Sequence, residues 1–182
     1  KSGFKGAIEA LIWNDNKTKV LVYTNSKTVW RAKTKGDYWY FDLTTGKGKQ
    51  LGKDLETSSL MFAKFSSDNE NVAYVSKHNI YLENLNSGKI TPLTTDGTDK
   101  IINGTFDWVY EEELAARDGF RWSPDGKSIA FWRIDATATK FHLMINNTDA
   151  LYPFTVPVEY PKAGEKPSSV KIGIIDIKSL KT

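Results

Sequence analysis

The sequence predicts an all-β fold, in the form of three to four blades of a β-propeller that does not close into a ring. Three observations carry this. A turn-plus-strand unit occurs three times along the 182 residues. A second, alternating unit ending in a glycine-containing turn is interleaved with it. Helix-forming composition is confined to one short stretch in a chain otherwise rich in strand formers.

The first unit joins an aromatic residue and polar residues to a turn and a short apolar strand. It runs from Trp13-Asn14-Asp15-Asn16 to Val20-Leu21-Val22-Tyr23. It returns from Phe65-Ser66-Ser67-Asp68 to Val72-Ala73-Tyr74-Val75, and from Trp122-Ser123-Pro124-Asp125 to Ile129-Ala130-Phe131-Trp132. The second unit is Phe41-Asp42-Leu43-Thr44-Thr45-Gly46-Lys47, which matches Leu82-Glu83-Asn84-Leu85-Asn86-Ser87-Gly88-Lys89. Ile175-Asp176-Ile177-Lys178-Ser179-Leu180 is a weaker third copy. Gly88 is placed for positive φ in a hairpin turn, and Asp125-Gly126 reads as a two-residue hairpin signal.

Four short strands in roughly 45 residues make one propeller blade. The spacing gives blade-like units at about 8–52, 53–102 and 119–182, within one domain fragment spanning 1–182. A β-sandwich has strands of similar length but no reason to repeat the same turn-plus-strand unit. An unclosed propeller leaves two terminal blade faces uncovered, which predicts self-association or a homodimer through those faces.

Two stretches break the spacing. Tyr110 through Arg117 has helix-forming composition, and Asp118-Gly119 reads as its end. This predicts a helical insertion at about 103–118. Residues 146–169 are rich in Asn, Pro, Gly and Ser and read as a long excursion with little regular structure. Pro153, Pro157, Pro161 and Pro167 exclude that stretch from any central strand.

Composition narrows the function classes. Net charge is +3 with acids and bases interspersed, which argues against a nucleic-acid surface. Cysteine is absent, so there is no disulfide framework and no thiol chemistry. No apolar run approaches the ~20 residues that span a bilayer. The opening Lys1-Ser2-Gly3-Phe4-Lys5-Gly6 has neither an initiator Met nor a signal peptide, as in an excised or processed chain. Three Asn-x-Ser/Thr patterns begin at Asn16, Asn103 and Asn146. No Gly-x-Ser-x-Gly elbow, metal-ligand spacing or Gly-rich phosphate loop occurs, so no catalytic residue, metal or cofactor is assigned. The only histidines, His78 and His142, read as a turn and a strand-face residue.

The most distinctive stretch is Asp107-Trp108-Val109-Tyr110-Glu111-Glu112-Glu113. Three adjacent acids repel one another, so folding alone has little use for them. One reading is a solvated first helical turn, where acids suit the positive end of the helix dipole. The other is a cation-binding ledge held in place by Trp108 and Tyr110.

This stretch resembles the double-Glu motif of the dipeptidyl peptidase IV family, serine exopeptidases of the prolyl oligopeptidase clan. Phe120-Arg121-Trp122-Ser123-Pro124-Asp125-Gly126 is similar to the family's W-W-S-P-N-G segment. Tyr160-Pro161-Lys162-Ala163-Gly164, with Val170-Lys171-Ile172 after it, resembles its Y-P-K-A-G segment. Upstream, Val29-Trp30-Arg31 resembles a W-R segment, and the four segments keep the family's order.

The resemblance implies part of an eight-bladed propeller that precedes a C-terminal α/β-hydrolase domain carrying the catalytic triad. It implies a dipeptidyl aminopeptidase that releases Xaa-Pro and Xaa-Ala dipeptides from peptide N-termini. Glu112 and Glu113 then bind the substrate α-ammonium, Arg31 contacts a substrate carbonyl, and Glu111, Trp108 and Tyr110 support the site. Ala32 and Lys33 depart from the family pattern after the arginine. The enzyme is expected to be bacterial and exported: periplasmic, cell-surface or secreted. A non-catalytic propeller that binds a protein or carbohydrate partner is the competing expectation, because fold alone does not set function.

Overall fold

The two interleaved repeats of the sequence turn out to be two kinds of loop on the same set of sheets. A computed structural model describes residues 3–182; the opening Lys1-Ser2 lies outside the described residues. The first sheet is an antiparallel meander of β1 (Ala10–Trp13), β2 (Lys19–Val29), β3 (Ala32–Asp42) and β4 (Lys47–Gln50). The second repeats that order with β5 (Met61–Phe65), β6 (Asn71–Ser76), β7 (Asn79–Asn84) and β8 (Ile90–Pro92). In the third, β11 (Ser128–Asp135) is central. It pairs on one side with β14 (Ser169–Asp176), and on the other with β10 (Phe120–Trp122) and β9 (Ile101–Asn103). These are three blades of a partial propeller.

Each copy of the first repeat is closed by a side chain at its second position. The backbone N–H of Lys19 donates to Asn14 Oδ1, that of Asn71 to Ser66 Oγ, and that of Ser128 to Ser123 Oγ. The acid two positions on, Asp68 or Asp125, accepts from the serine hydroxyl, and Asn16 takes the same place beside Asn14. The last of these loops spans residues 123–127, so Asp125-Gly126 is not a two-residue hairpin; Gly126 supplies φ +69° inside a longer turn. The second repeat is closed by Asp42, Asn84 and Asp176, whose side chains accept from backbone N–H groups two or three residues ahead.

Burial explains why β6 reads as an unbroken apolar run. Val72 and Tyr74 face the first sheet, packing with Leu21, Tyr38 and Leu60. Ala73 and Val75 face the third sheet, packing with Phe120, Ile129 and Ile175. A strand covered on both faces has no polar side to alternate with. The outer faces differ. Leu11 and Trp13 remain exposed beyond the first sheet, as do Trp132, Ile172 and Ile174 beyond the third.

Two further expectations are corrected. The helix, α1, runs Trp108–Leu114, starting earlier and ending earlier than composition suggested. Asp107 caps its start, and Ala115 in the left-handed region at φ +53° stops it before Asp118-Gly119. The excursion also has regular structure. Phe154–Glu159 forms β13, which pairs with β12 (Phe141–Asn146) in a two-stranded ribbon. Both strands of such a ribbon are edges, so Pro157 is tolerated opposite Leu143. Of the three glycosylation patterns, Asn103 is fully buried, and its Nδ2 donates to Asp96 and to the His78 carbonyl.

Candidate functional site

The site is assembled from three places in the chain: the β2–β3 hairpin tip, α1, and the base of the β12–β13 ribbon. The hairpin tip is Trp30-Arg31, between the paired residues Val29 and Ala32. Trp30 sits at φ +52°, a region a bulky residue seldom adopts. Arg31 thereby projects toward α1, and its Nη2 lies 2.7 Å from Glu112 Oε1.

Helix α1 has only seven residues, too few to hold a direction by itself. Its ties to the blades set its direction. Asp107 Oδ1 accepts from the Tyr110 N–H at 3.2 Å, and Asp107 Oδ2 accepts from the Ser168 hydroxyl at 2.6 Å. Glu111 is buried, and its Oε1 accepts from Arg117 Nε at 3.2 Å. Burial pushes the Glu111 carboxyl above the usual glutamate range; Arg117 opposes this and neighbouring Glu112 adds to it. The Trp108 ring packs on Tyr160 at 4.9 Å, and Tyr110 packs on Phe106 at 5.9 Å.

The three acids therefore have three different surroundings. Glu111 points into the protein and Glu112 is partly buried against Arg31. Glu113 is exposed and makes no ion pair among the described residues. Beside Glu112 opens a cavity of about 740 Å³, walled mainly by Trp30, Trp108, Tyr160, His142, Met144 and Val158. A second cavity of about 360 Å³ lies across Trp30 and Trp108 and contains His78 and Glu111. His78 is in the β6–β7 turn at φ +60°, and burial pushes its imidazole below the ordinary range.

The structure thus brings together Arg31, Glu112, Trp108 and, at the helix surface, Glu113; Glu111 and Tyr110 lie behind them. Sequence reasoning did not assign Trp30, Tyr160, His142 or Ser168 to the site. Trp30 and Tyr160 were within reach, since both belong to segments with a family likeness. No group of three or more His, Cys, Asp or Glu is placed to hold a metal ion among the described residues.

Arg31 and Glu112 offset one another at this surface, Lys162 also lines the cavity, and the exposed Glu113 lies on the helix outside the lining. Carboxylate acceptors beside an aromatic-walled cavity can receive a cationic group that carries an apolar body.

Comparison with known proteins shows the family and the fold. Residues 14–182 match the family described as the dipeptidyl peptidase IV (DPP IV) N-terminal region. The chain is 33% identical to a probable dipeptidyl-aminopeptidase B of Phaeosphaeria nodorum, covering 87% of this chain and 19% of that protein. It is 30% identical to the Penicillium rubens counterpart, covering 93% of this chain and 20% of that protein. It superposes on Porphyromonas gingivalis dipeptidyl peptidase 4 with a TM-score of 0.89 at 29% identity, covering 100% of this chain and 26% of that chain. A putative dipeptidyl aminopeptidase IV of Bacteroides ovatus shares the fold, with a TM-score of 0.60. The chain spans about a fifth of the length of the curated relatives it matches. It belongs to the dipeptidyl peptidase IV family, within that family's N-terminal region.

Proposed function

We propose that this chain is the substrate-recognition part of a dipeptidyl aminopeptidase, and that Glu112 and Glu113 receive the α-ammonium of the peptide to be cut. The observation that carries the reading is the Arg31–Glu112 pair beside an exposed Glu113. An enzyme that removes dipeptides has to measure from the free N-terminus. The group that marks it is an ammonium with an ordinary pKa near ~8. Two carboxylates supply acceptors for its N–H donors, and charge-assisted bonds of this kind are the strong ones. Arg31 keeps Glu112 in place and has further N–H donors for a backbone carbonyl of the bound peptide.

On this reading the triad serine, aspartate and histidine come from a C-terminal α/β-hydrolase domain of the same protein. The peptides released are Xaa-Pro and Xaa-Ala, and the enzyme works outside the cytoplasm. No helix among the described residues is long and apolar enough to cross a membrane. The test is a comparison of Gly-Pro-nitroanilide with its N-acetylated form on the full-length protein. The free amine is expected to be cleaved and the acetylated form left intact. Equal cleavage of both removes the ammonium from the recognition step. A second reading, a non-catalytic propeller that docks a partner, draws on the exposed apolar residues of the ribbon, among them Leu143, Ile145 and Tyr152. It predicts no release from either substrate.

A further inference from the structure

The proposed ammonium site depends on a seven-residue helix whose own hydrogen bonds cannot orient it. The helix is tied down at its start by a contact between residues 61 positions apart. Ser168 Oγ donates to Asp107 Oδ2 at 2.6 Å, and both residues are buried, at 6% and 7% exposure. The other oxygen of the same carboxylate accepts from the Tyr110 N–H and so caps the helix. Ser168 immediately precedes β14, which pairs with β11 along eight residues of the third sheet. The carboxylate thus joins the first turn of α1 to the start of a rigid strand.

The other ties act on other sides of the helix. Glu111–Arg117 closes it onto the segment that follows, and Trp108–Tyr160 sets it against the return from the ribbon. Phe106, just before the cap, packs on Trp132 of β11, and the Ser168–Asp107 hydrogen bond ties the cap itself to the edge of the third sheet. Glu112 lies about one turn further on and meets Arg31 from the first sheet. A small rotation at the cap moves Glu112 relative to an arginine that α1 does not carry.

We propose that Ser168, acting through Asp107, is a positioning residue that registers the helix bearing Glu112 and Glu113 against the third sheet. This rests on the reading of the two glutamates as the ammonium receptor. Ser168 touches no substrate; it holds a cap, and the cap holds the glutamates.

The experiment is steady-state kinetics on the full-length protein with Gly-Pro-nitroanilide. Two variants cut the contact from its two ends. Ser168→Ala removes the donor. Asp107→Ser keeps a helix-capping side chain but is too short to reach Ser168. Both are expected to raise KM by roughly threefold to tenfold and to change kcat by less than about twofold, as for a loss of binding common to ground and transition states. Ser168→Thr keeps the hydroxyl and is expected to restore KM. In a Glu112→Gln background, Ser168→Ala is expected to add little. A fall in kcat with unchanged KM, or no rescue by Thr, overturns the proposal in favour of a purely structural role. Wild-type KM in both Ser168→Ala and Asp107→Ser overturns it while leaving the ammonium reading standing, provided Glu112→Gln is impaired. If Glu112→Gln and Glu113→Gln are both as active as wild type, the ammonium reading fails, and the proposal with it.

Discussion

Arg31 and Glu112 are joined at 2.7 Å although one belongs to a hairpin tip of the first sheet and the other to a helix that follows β9 of the third. The side chain of Arg31 is 79% exposed and that of Glu112 only 19%. The pair therefore contributes little to folding, since an exposed arginine is well solvated. Its effect is to fix one carboxylate of an adjacent pair and to leave the other, Glu113, open to a ligand.

The hairpin tip that delivers Arg31 carries a backbone cost. Trp30 adopts φ +52°, where Asn and Gly are at ease and a bulky residue is strained by about 1 kcal/mol or more. The residue is 48% exposed, so little core packing offsets that cost. Trp30→Asn is expected to leave thermal stability unchanged or raise it by a degree or more. The same variant is expected to weaken Gly-Pro-nitroanilide turnover, because one wall of the 740 Å³ cavity is lost. Thermal melting and kcat/KM measured on one preparation check both halves. A variant that melts well below wild type contradicts the strain argument.

Lys64 gives a pH prediction with a definite sign. Its Nζ lies 2.6 Å from Asp118 Oδ1 and 3.6 Å from the centre of the Phe120 ring. Burial pushes the ammonium down to about 8; Asp118 pulls the other way, and Arg121 adds to the lowering. The folded value is below the unfolded one, 10.5. Between these values the unfolded chain binds a proton that the folded chain has released, so stability rises with pH across that window. Below about 8 the buried charge is simply a cost. Relative to Lys64→Met, the wild type is expected to gain up to about 2 kcal/mol between pH 8 and 9.5. Urea unfolding of both proteins across that range reads the difference. Parallel pH profiles would falsify the assignment.

How much of this was legible depends on the reach of the physics involved. The blade loops were legible because each needs a short polar side chain at a fixed offset. Asn14, Ser66 and Ser123 therefore appear as a repeat, as do Asp42, Asn84 and Asp176. The end of α1 was not. Ala115-Ala116-Arg117 has the composition to continue a helix, but Arg117 turns back to pair with buried Glu111, and Ala115 takes the left-handed conformation that ends it. Strand β13 was hidden by Pro153 and Pro157, which rule out a central strand but not a two-stranded ribbon. The Ser168–Asp107 contact has no local signature at all, because its partners meet only once the third sheet has formed.

The uncovered blade faces predict behaviour of the chain in isolation. Trp132, Ile172 and Ile174 stand together on the exposed face of the paired β11 and β14 strands, with exposures of 42%, 58% and 61%. Apolar clusters of this kind on a sheet seek cover. Sedimentation at micromolar concentration is expected to show dimers or larger species. Ile172→Lys with Ile174→Lys is expected to shift the distribution toward monomer. A strictly monomeric, folded wild type contradicts this.

The last prediction separates the three adjacent glutamates. Glu112→Gln and Glu113→Gln each keep size and remove one charge of the proposed ammonium receptor. Losing one partner of a desolvated charge pair costs about 2–5 kcal/mol. Each 1.4 kcal/mol is roughly tenfold, so kcat/KM for Gly-Pro-nitroanilide is expected to fall about thirtyfold or more, with unchanged melting. Glu111→Gln is expected to behave in the opposite way. Its carboxylate is buried on Arg117 and does not face the cavity beside Glu112. Its loss therefore lowers the melting temperature while the enzyme that remains folded keeps kcat/KM within a few fold. Measuring kcat/KM and melting for all three variants of the full-length protein decides the matter. Near-wild-type activity in both Glu112→Gln and Glu113→Gln ends the ammonium reading. A large loss at Glu111 with Glu113 silent means that the receptor pair is Glu111 and Glu112, one residue earlier along the helix.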